Sequence, residues 1–213
     1  MRLLNLICPF GALTLLGISW AFGLVKEDEI LVRWAFDEGN GTIVQDSVSN
    51  STPLFLDPAV NWGWEGNGTA LSRYSMDISD AQAFAYAESN EMLHATTSFS
   101  QMIWFKTNGL PDDWSLLLGK REQLSFSYFT QINPGGENLE SSLRVSGLAE
   151  QFISTGQVGF RLDQWNCLIN TYDGKQLRTF LNGKLVGAYS LYLIPENDNG
   201  NLGVGGSPDG SNL

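Results

Sequence analysis

Three tryptophans stand in loops built of turn residues, and an indole held at a surface is well suited to contact a ligand through its face. Trp62 and Trp64 flank Gly63, and Trp114 follows Pro111-Asp112-Asp113. These are the candidate ligand-binding residues. The competing reading is that each covers the core from its loop, because tryptophan is highly buried on average. Carboxylates could instead cleave a glycosidic bond, but that needs two of them flanking the bond, one as acid and one as nucleophile or base. The densest acidic run, Glu27-Asp28-Glu29, lies near the start of the chain; Asp112-Asp113 reads as a turn, and Glu137 and Glu140 follow Pro134-Gly135-Gly136. No inward-facing pair emerges, so no catalytic residue is assigned and a non-enzymatic protein is expected.

His94 is the only histidine, with no Ser/His/Asp set around it. It reads as a cap beside a short helical turn. One histidine and one cysteine cannot close a zinc site. Hard oxygen ligands for a structural calcium ion could come from Asp37 and Asn40, from Asp46, or from Asp198 and Asn199. Solvated turn carboxylates are the competing reading, and no cofactor is assigned.

The elements that carry these residues lie in a chain of 213 residues with a net charge of −11. That balance argues against a nucleic-acid track and against an anionic membrane surface. Arg2, an apolar run from Leu3 to Trp20, small residues at Ala21 and Gly23, and then the acidic cluster form the pattern of a secretory signal peptide. The run also approaches the roughly 20 residues that span a bilayer, so a membrane anchor is the alternative, and membrane contact is expected only if the segment stays uncleaved. Residues 1–23 are therefore expected to be a signal segment, residues 24–213 one domain, and the protein secreted or displayed at the cell surface. Cys8 falls in the leader. Cys167 is then the only cysteine left, expected buried and outside any intrachain disulfide.

Beyond the leader, 23 glycines are scattered along the chain, which fits many turns. Alternating or β-branched runs predict strands over 30–36, 69–78, 97–106, 114–119, 123–131, 142–146, 165–172, 176–181, 184–190 and 201–204. A helical turn is expected only near 89–94. Short strands with Gly, Asn, Asp and Pro breaks predict an all-β, two-sheet antiparallel sandwich. The 97–106 strand is apolar on both faces, as a central strand is. Gln176, Arg178 and Lys184 mark a wetter hairpin near a sheet edge. Asp173-Gly174 and Asn182-Gly183 are the dipeptides of two-residue hairpins.

The run Trp165-Asn166-Cys167-Leu168-Ile169-Asn170-Thr171-Tyr172-Asp173-Gly174, with Phe180-Leu181-Asn182-Gly183 after it, resembles the signature of laminin G-like domains, the pentraxin and concanavalin A-like jelly roll. Trp34 to Thr42, Gly66 to Leu71, Phe99 to Lys106 and Leu202 to Gly206 resemble further family segments in the right order. The resemblance implies a recognition module for a carbohydrate or a protein ligand, carbohydrate first and adhesion second, with a glycoside hydrolase less expected. It also implies that Met102 and Ile169 occupy the positions of the pentraxin disulfide, with a packing contact in its place. Relatives continue with a further strand after the Leu202 segment, so the sandwich is expected to be C-terminally incomplete.

Overall fold

The computed structural model describes residues 2–6, 29–63, 73–79, 83–122, 125–136, 138–145, 151–192 and 194–208. It is an antiparallel all-β sandwich, as the strand pattern requires. In chain order the strands are β1 (Arg2–Leu6), β2 (Ile43–Val44), β3 (Leu54–Leu56), β4 (Asn61–Gly63), β5 (Ser75–Asp77), β6 (Ala85–Ala87), β7 (Phe99–Lys106) and β8 (Ser115–Glu122). They continue as β9 (Ser125–Ile132), β10 (Asn138–Leu143), β11 (Gln151–Gln157), β12 (Asn166–Tyr172), β13 (Gln176–Leu181), β14 (Lys184–Ser190) and β15 (Asn201–Val204). One sheet runs β14-β13-β12-β7-β1-β5-β4 and the other β11-β10-β9-β8-β15-β6-β3-β2. The expected helical turn near 89–94 is present as Glu91–Leu93; it is 3₁₀ and is capped by the Asn90 side chain, which accepts from Met92 N at 2.9 Å.

The hairpin signals work through local backbone chemistry. Asn182 (φ 51°) and Gly183 (φ 80°) form a two-residue turn closed by the Leu181–Lys184 pair. The Asp173-Gly174 turn is longer than the two residues expected, because Tyr172 pairs with Leu177. Its shape is held by the Asp173 carboxylate, which accepts from the amides of Lys175 (3.0 Å) and Gln176 (2.8 Å) and from Arg178 (2.7 Å). The Arg178 hydrogen bond, aided by these amides, pulls the Asp173 carboxyl below its ordinary value.

The 30–36 segment departs from expectation. Ile30, Val32, Trp34 and Phe36 are buried in alternation as a strand's would be. Among the described residues the segment nevertheless pairs only through one Trp34–Asp46 bridge, and Phe36 adopts φ 56°. Trp34 is anchored by its indole N–H, which donates to Thr52 O at 2.7 Å. Cys167 also departs from expectation. It is half-buried rather than buried and forms no disulfide. The cause is alternation: Asn166, Leu168 and Asn170 take the core face of β12, leaving Cys167 on the outer face level with Trp104. On that same face Met102 and Ile169 are direct cross-strand partners.

Between the sheets the core is mainly apolar, including Met76, Ile103, Phe105, Leu117, Leu118, Leu168 and Leu202. A network of buried polar side chains interrupts it. Asn170 of β12 donates to Thr130 of β9 (2.5 Å), while its carbonyl accepts from Ser141 of β10 (3.1 Å) and Thr179 of β13 (2.8 Å). This network joins the two sheets through buried, mutually satisfied groups. Tyr128 of β9 is buried nearby in the core and donates to Leu93 O at 2.7 Å. Burial, with the Asp198 charge adding to it, pushes its phenol well above the ordinary value.

A tyrosine raised in this way contributes stability that is present below its unfolded value, about 10, and is lost as pH rises toward the folded value. Alkaline unfolding of the wild type should therefore steepen above about pH 10. In Tyr128→Phe that steepening should shrink, at a cost of about 1 kcal/mol at neutral pH for the lost hydrogen bond. Equal alkaline slopes for the two proteins, measured by denaturant melts at several pH values, would contradict this.

Candidate ligand-binding surface

Trp62 lies in edge strand β4, opposite Met76 of β5. Its indole N–H donates to Gly41 O at 2.8 Å, and its ring meets Phe36 and Tyr74 edge-on at 6.1 and 6.4 Å. The half-buried ring packs against the core. Trp64 lies outside the described residues. Trp114 immediately precedes β8 and is 41% exposed, in a loop where Asp113 accepts from the Trp114 amide at 2.8 Å. Trp62 lies in one sheet and Trp114 beside a strand of the other, and the two share no described contact.

The acidic groups considered for calcium are engaged by protein donors. Asp46 is fully buried, and its two carboxylate oxygens accept from the amides of Arg33, Val48 and Ser49 and from the Ser49 hydroxyl, at 2.5–3.3 Å. Asp37 accepts from Arg73 N at 3.4 Å. Asp198 accepts from Lys120, whose ammonium is 0% exposed: Nζ lies 3.1 Å from Oδ1 and also donates to the Asp198 carbonyl. An internal ammonium thus takes the position a bound cation would need there. The Asp198 backbone N–H donates to Ser127 Oγ at 3.1 Å, and Asn197 pairs with both backbone groups of Ala95 at 2.7 and 2.8 Å. The 195–200 loop is thereby fixed across the end of the sandwich. Among the described residues no three His, Cys, Asp or Glu side chains are grouped to hold a metal.

A surface not anticipated from the sequence lies on the outer face of the eight-stranded sheet. Leu54, Leu56, Ala85 and Ala87 point into the core, so Phe55 and Tyr86 between them point outward. Register sets Ile43, Phe55, Tyr86, Gly203, Gly119, Phe129 and Ser142 in one line across the strands. Phe55 and Tyr86 are half-buried and stacked, 5.3 Å between centroids at 29°, with Phe84 6.3 Å from Tyr86. Beyond the glycines, Phe126 packs on Phe129 at 4.9 Å, and the Arg121 guanidinium lies 5.2 Å over Phe126 while donating to Ser207 at 2.9 Å. The chain turns back over the line at Gly203, where a Cβ would stand 2.3 Å from Gly206 O and 2.7 Å from Pro208. Glu140 shares this face and accepts from Gln131 at 3.0 Å, while no carboxylate stands in the line itself. Leu54–Leu56 and Ala85–Ala87 are three residues each, too short for their alternation to reveal the pair in the sequence.

The fold resembles that of several solved binding domains. The binding domain of Paraclostridial Mosquitocidal Protein 1 matches with a TM-score of 0.66 at 13% identity, over 86% of this chain and 46% of that one. The receptor binding domain of botulinum neurotoxin mosaic serotype C/D matches at 0.62 and 14%, over 84% and 43%. The binding domain of botulinum neurotoxin DC, solved in complex with SialylT, matches at 0.59 and 15%, over 84% and 44%. The chain thus spans less than half the length of these structures, and at such identities the likeness is one of fold. No curated protein matches the chain in sequence. No helix among the described residues is long and apolar enough to cross a membrane. Residues 79–213 match the family model of laminin G type described as the concanavalin A-like lectin/glucanases superfamily, and with most of its length inside that match, the chain belongs to this family.

Proposed function

We propose that residues 24–213, after removal of residues 1–23, form a secreted or cell-surface, non-catalytic recognition domain that binds carbohydrate on the outer face of the eight-stranded sheet. The observation that carries this reading is the stacked, half-exposed Phe55–Tyr86 pair. A stacked aromatic pair that is only half-buried offers apolar ring surface to the C–H face of a sugar ring. Arg121, held over Phe126, adds a donor on the same face. Family membership and the SialylT complex of the neurotoxin DC binding domain support a ligand-binding role. Trp114 is a second, separate candidate contact, and Trp62 and Trp64 are weaker ones.

The test is a glycan array followed by titration with the best ligand. Tyr86→Ala should weaken binding about tenfold or more, as loss of a central aromatic contact does, while the melting temperature changes little. Trp114→Ala should have a smaller effect. The wild type should release no reducing sugar from the bound glycan. If Phe55→Ala and Tyr86→Ala both bind as the wild type does, the site lies elsewhere; sugar release would overturn the non-catalytic reading.

A protein-binding or adhesive role has one observation in its favour. Leu185 and Tyr189 on edge strand β14, with Tyr192 (72% exposed) and Ile194 (67% exposed) after it, are large apolar side chains exposed within one short stretch of chain. Exposed apolar surface of this kind marks protein contacts.

A further inference from the structure

Asparagine followed by glycine can react with itself. Glycine has no Cβ to shield its backbone nitrogen, so that nitrogen can reach the carboxamide carbon of the asparagine before it. Among the described residues the pairs are Asn40-Gly41, Asn108-Gly109, Asn182-Gly183 and Asn199-Gly200, while Asn67-Gly68 lies outside them. All four of these asparagines are exposed, so solvent access does not separate them. What separates them is whether the reacting groups are held. At Asn182 the side chain is tied at both ends: Oδ1 accepts from Cys167 N at 2.9 Å and Nδ2 donates to Asn166 Oδ1 at 3.0 Å. After Asn199, the Gly200 N–H donates to Asp198 Oδ1 at 3.0 Å, and Gly200 packs on the backbone of Arg121 and Glu122 with no room for a Cβ. After Asn108, the Gly109 N–H donates to Thr107 Oγ1 at 3.4 Å, and the same hydroxyl donates to Gly109 O at 2.7 Å. At Asn40 neither the side chain nor the Gly41 N–H has a hydrogen-bond partner among the described residues. Gly41 (φ 86°) has open space where a Cβ would stand.

We propose that Asn40 is a site of spontaneous covalent modification, at which the Gly41 nitrogen closes on the Asn40 carboxamide and water reopens the ring as aspartate or isoaspartate. Gly41 N gives its proton to solvent and attacks Cγ of Asn40. The N–Cγ bond forms, the Cγ–Nδ2 bond breaks, and the leaving nitrogen takes a proton from water to depart as ammonia. The cyclic imide then takes up a water molecule. Opening at Cγ gives aspartate. Opening at the main-chain carbonyl gives isoaspartate, in which the chain runs on through Cβ and Cγ. Water is the only co-reactant, and nothing is oxidised or reduced. Each event adds a negative charge, and isoaspartate also adds a carbon to the main chain. That carbon enters beside two anchors of the loop, because Gly41 O accepts from Trp62 Nε1 and Thr42 O from Leu56 N, both at 2.8 Å.

The experiment holds the folded full chain in mildly alkaline buffer and follows each Asn-Gly pair by peptide mapping, with isoaspartate labelled by an isoaspartyl methyltransferase. The expected result is that Asn40 is lost first. Asn108, Asn182 and Asn199 should be slower by roughly tenfold or more, as groups reached only through local opening are. In urea-unfolded protein the lead of Asn40 should vanish, because the local structure that holds the other pairs is gone. Asn40→Gln should abolish isoaspartate in its own peptide and leave the other peptides unchanged. Asn67 falls in a separate peptide and does not enter the comparison. Asn40 staying intact while another of the three reacts would overturn the assignment. So would all four reacting at one rate in the folded protein, or a lead of Asn40 that persists undiminished in urea.

Discussion

Lys120→Met should destabilise the domain by about 3–5 kcal/mol, the usual penalty for stripping one partner from a buried ion pair. The ammonium of Lys120 is sealed from solvent and binds both the carboxylate and the carbonyl of Asp198. Methionine keeps most of the volume but leaves the Asp198 carboxylate, with side chain only 7% exposed, lacking its counter-charge. One oxygen of that carboxylate, Oδ2, already has no described partner. The double variant Lys120→Met/Asp198→Asn should recover a large part of the loss, because the uncompensated charge is then gone. Urea melts of the three proteins measure it; a single variant within about 0.5 kcal/mol of wild type, the range of ordinary surface changes, would show that the pair contributes little.

Asn170→Leu is expected to cost about 3 kcal/mol, from leaving buried hydroxyls without partners at about 1–3 kcal/mol each. Leucine has the same number and branching of side-chain heavy atoms as asparagine and leaves no void, so the loss comes from polarity rather than from a cavity. Thr130, Ser141 and Thr179 all bond to Asn170, and they come from three strands in both sheets. Thr130 and Ser141 are 3.3 Å apart and can retain each other, which leaves Thr179 the most exposed to the change. Replacing Thr179 by Val in the Asn170→Leu background should therefore recover stability. If Asn170→Leu alone melts at the wild-type temperature, the network is not a stabilising element.

What could be read from the chain follows from the range of each interaction. Strands β12, β13 and β14 and the Asn182-Gly183 turn were legible because their information is local: alternation, β-branched residues and a dipeptide suited to positive φ. The central place of β7 was legible because both of its faces are apolar. By contrast, 30–36 shows a strand's burial pattern without a strand's pairing among the described residues, since a ladder depends on a partner that alternation does not reveal. Strand β11 went unseen because Gln151, Ser154, Thr155, Gly156 and Gln157 read as loop residues; it is recruited by β10 at a sheet edge. Strands β3 and β6, of three residues each, are shorter than any window in which a period can be detected. The Phe55–Tyr86 platform joins two such strands, and Lys120–Asp198 joins residues 78 apart. Tryptophans in glycine-rich loops drew attention in the sequence, yet Trp62 turns its indole N–H to Gly41, where it serves packing first.

Met102 and Ile169 face each other where pentraxin relatives are expected to hold a covalent bridge. The joint between β7 and β12 therefore involves no electron transfer. Its formation needs neither an oxidant nor a thiol-exchange catalyst, and a reductant does not open it. Closure of this seam of the sandwich does not wait on sulfur chemistry, and the contact is the same in an oxidising or a reducing compartment.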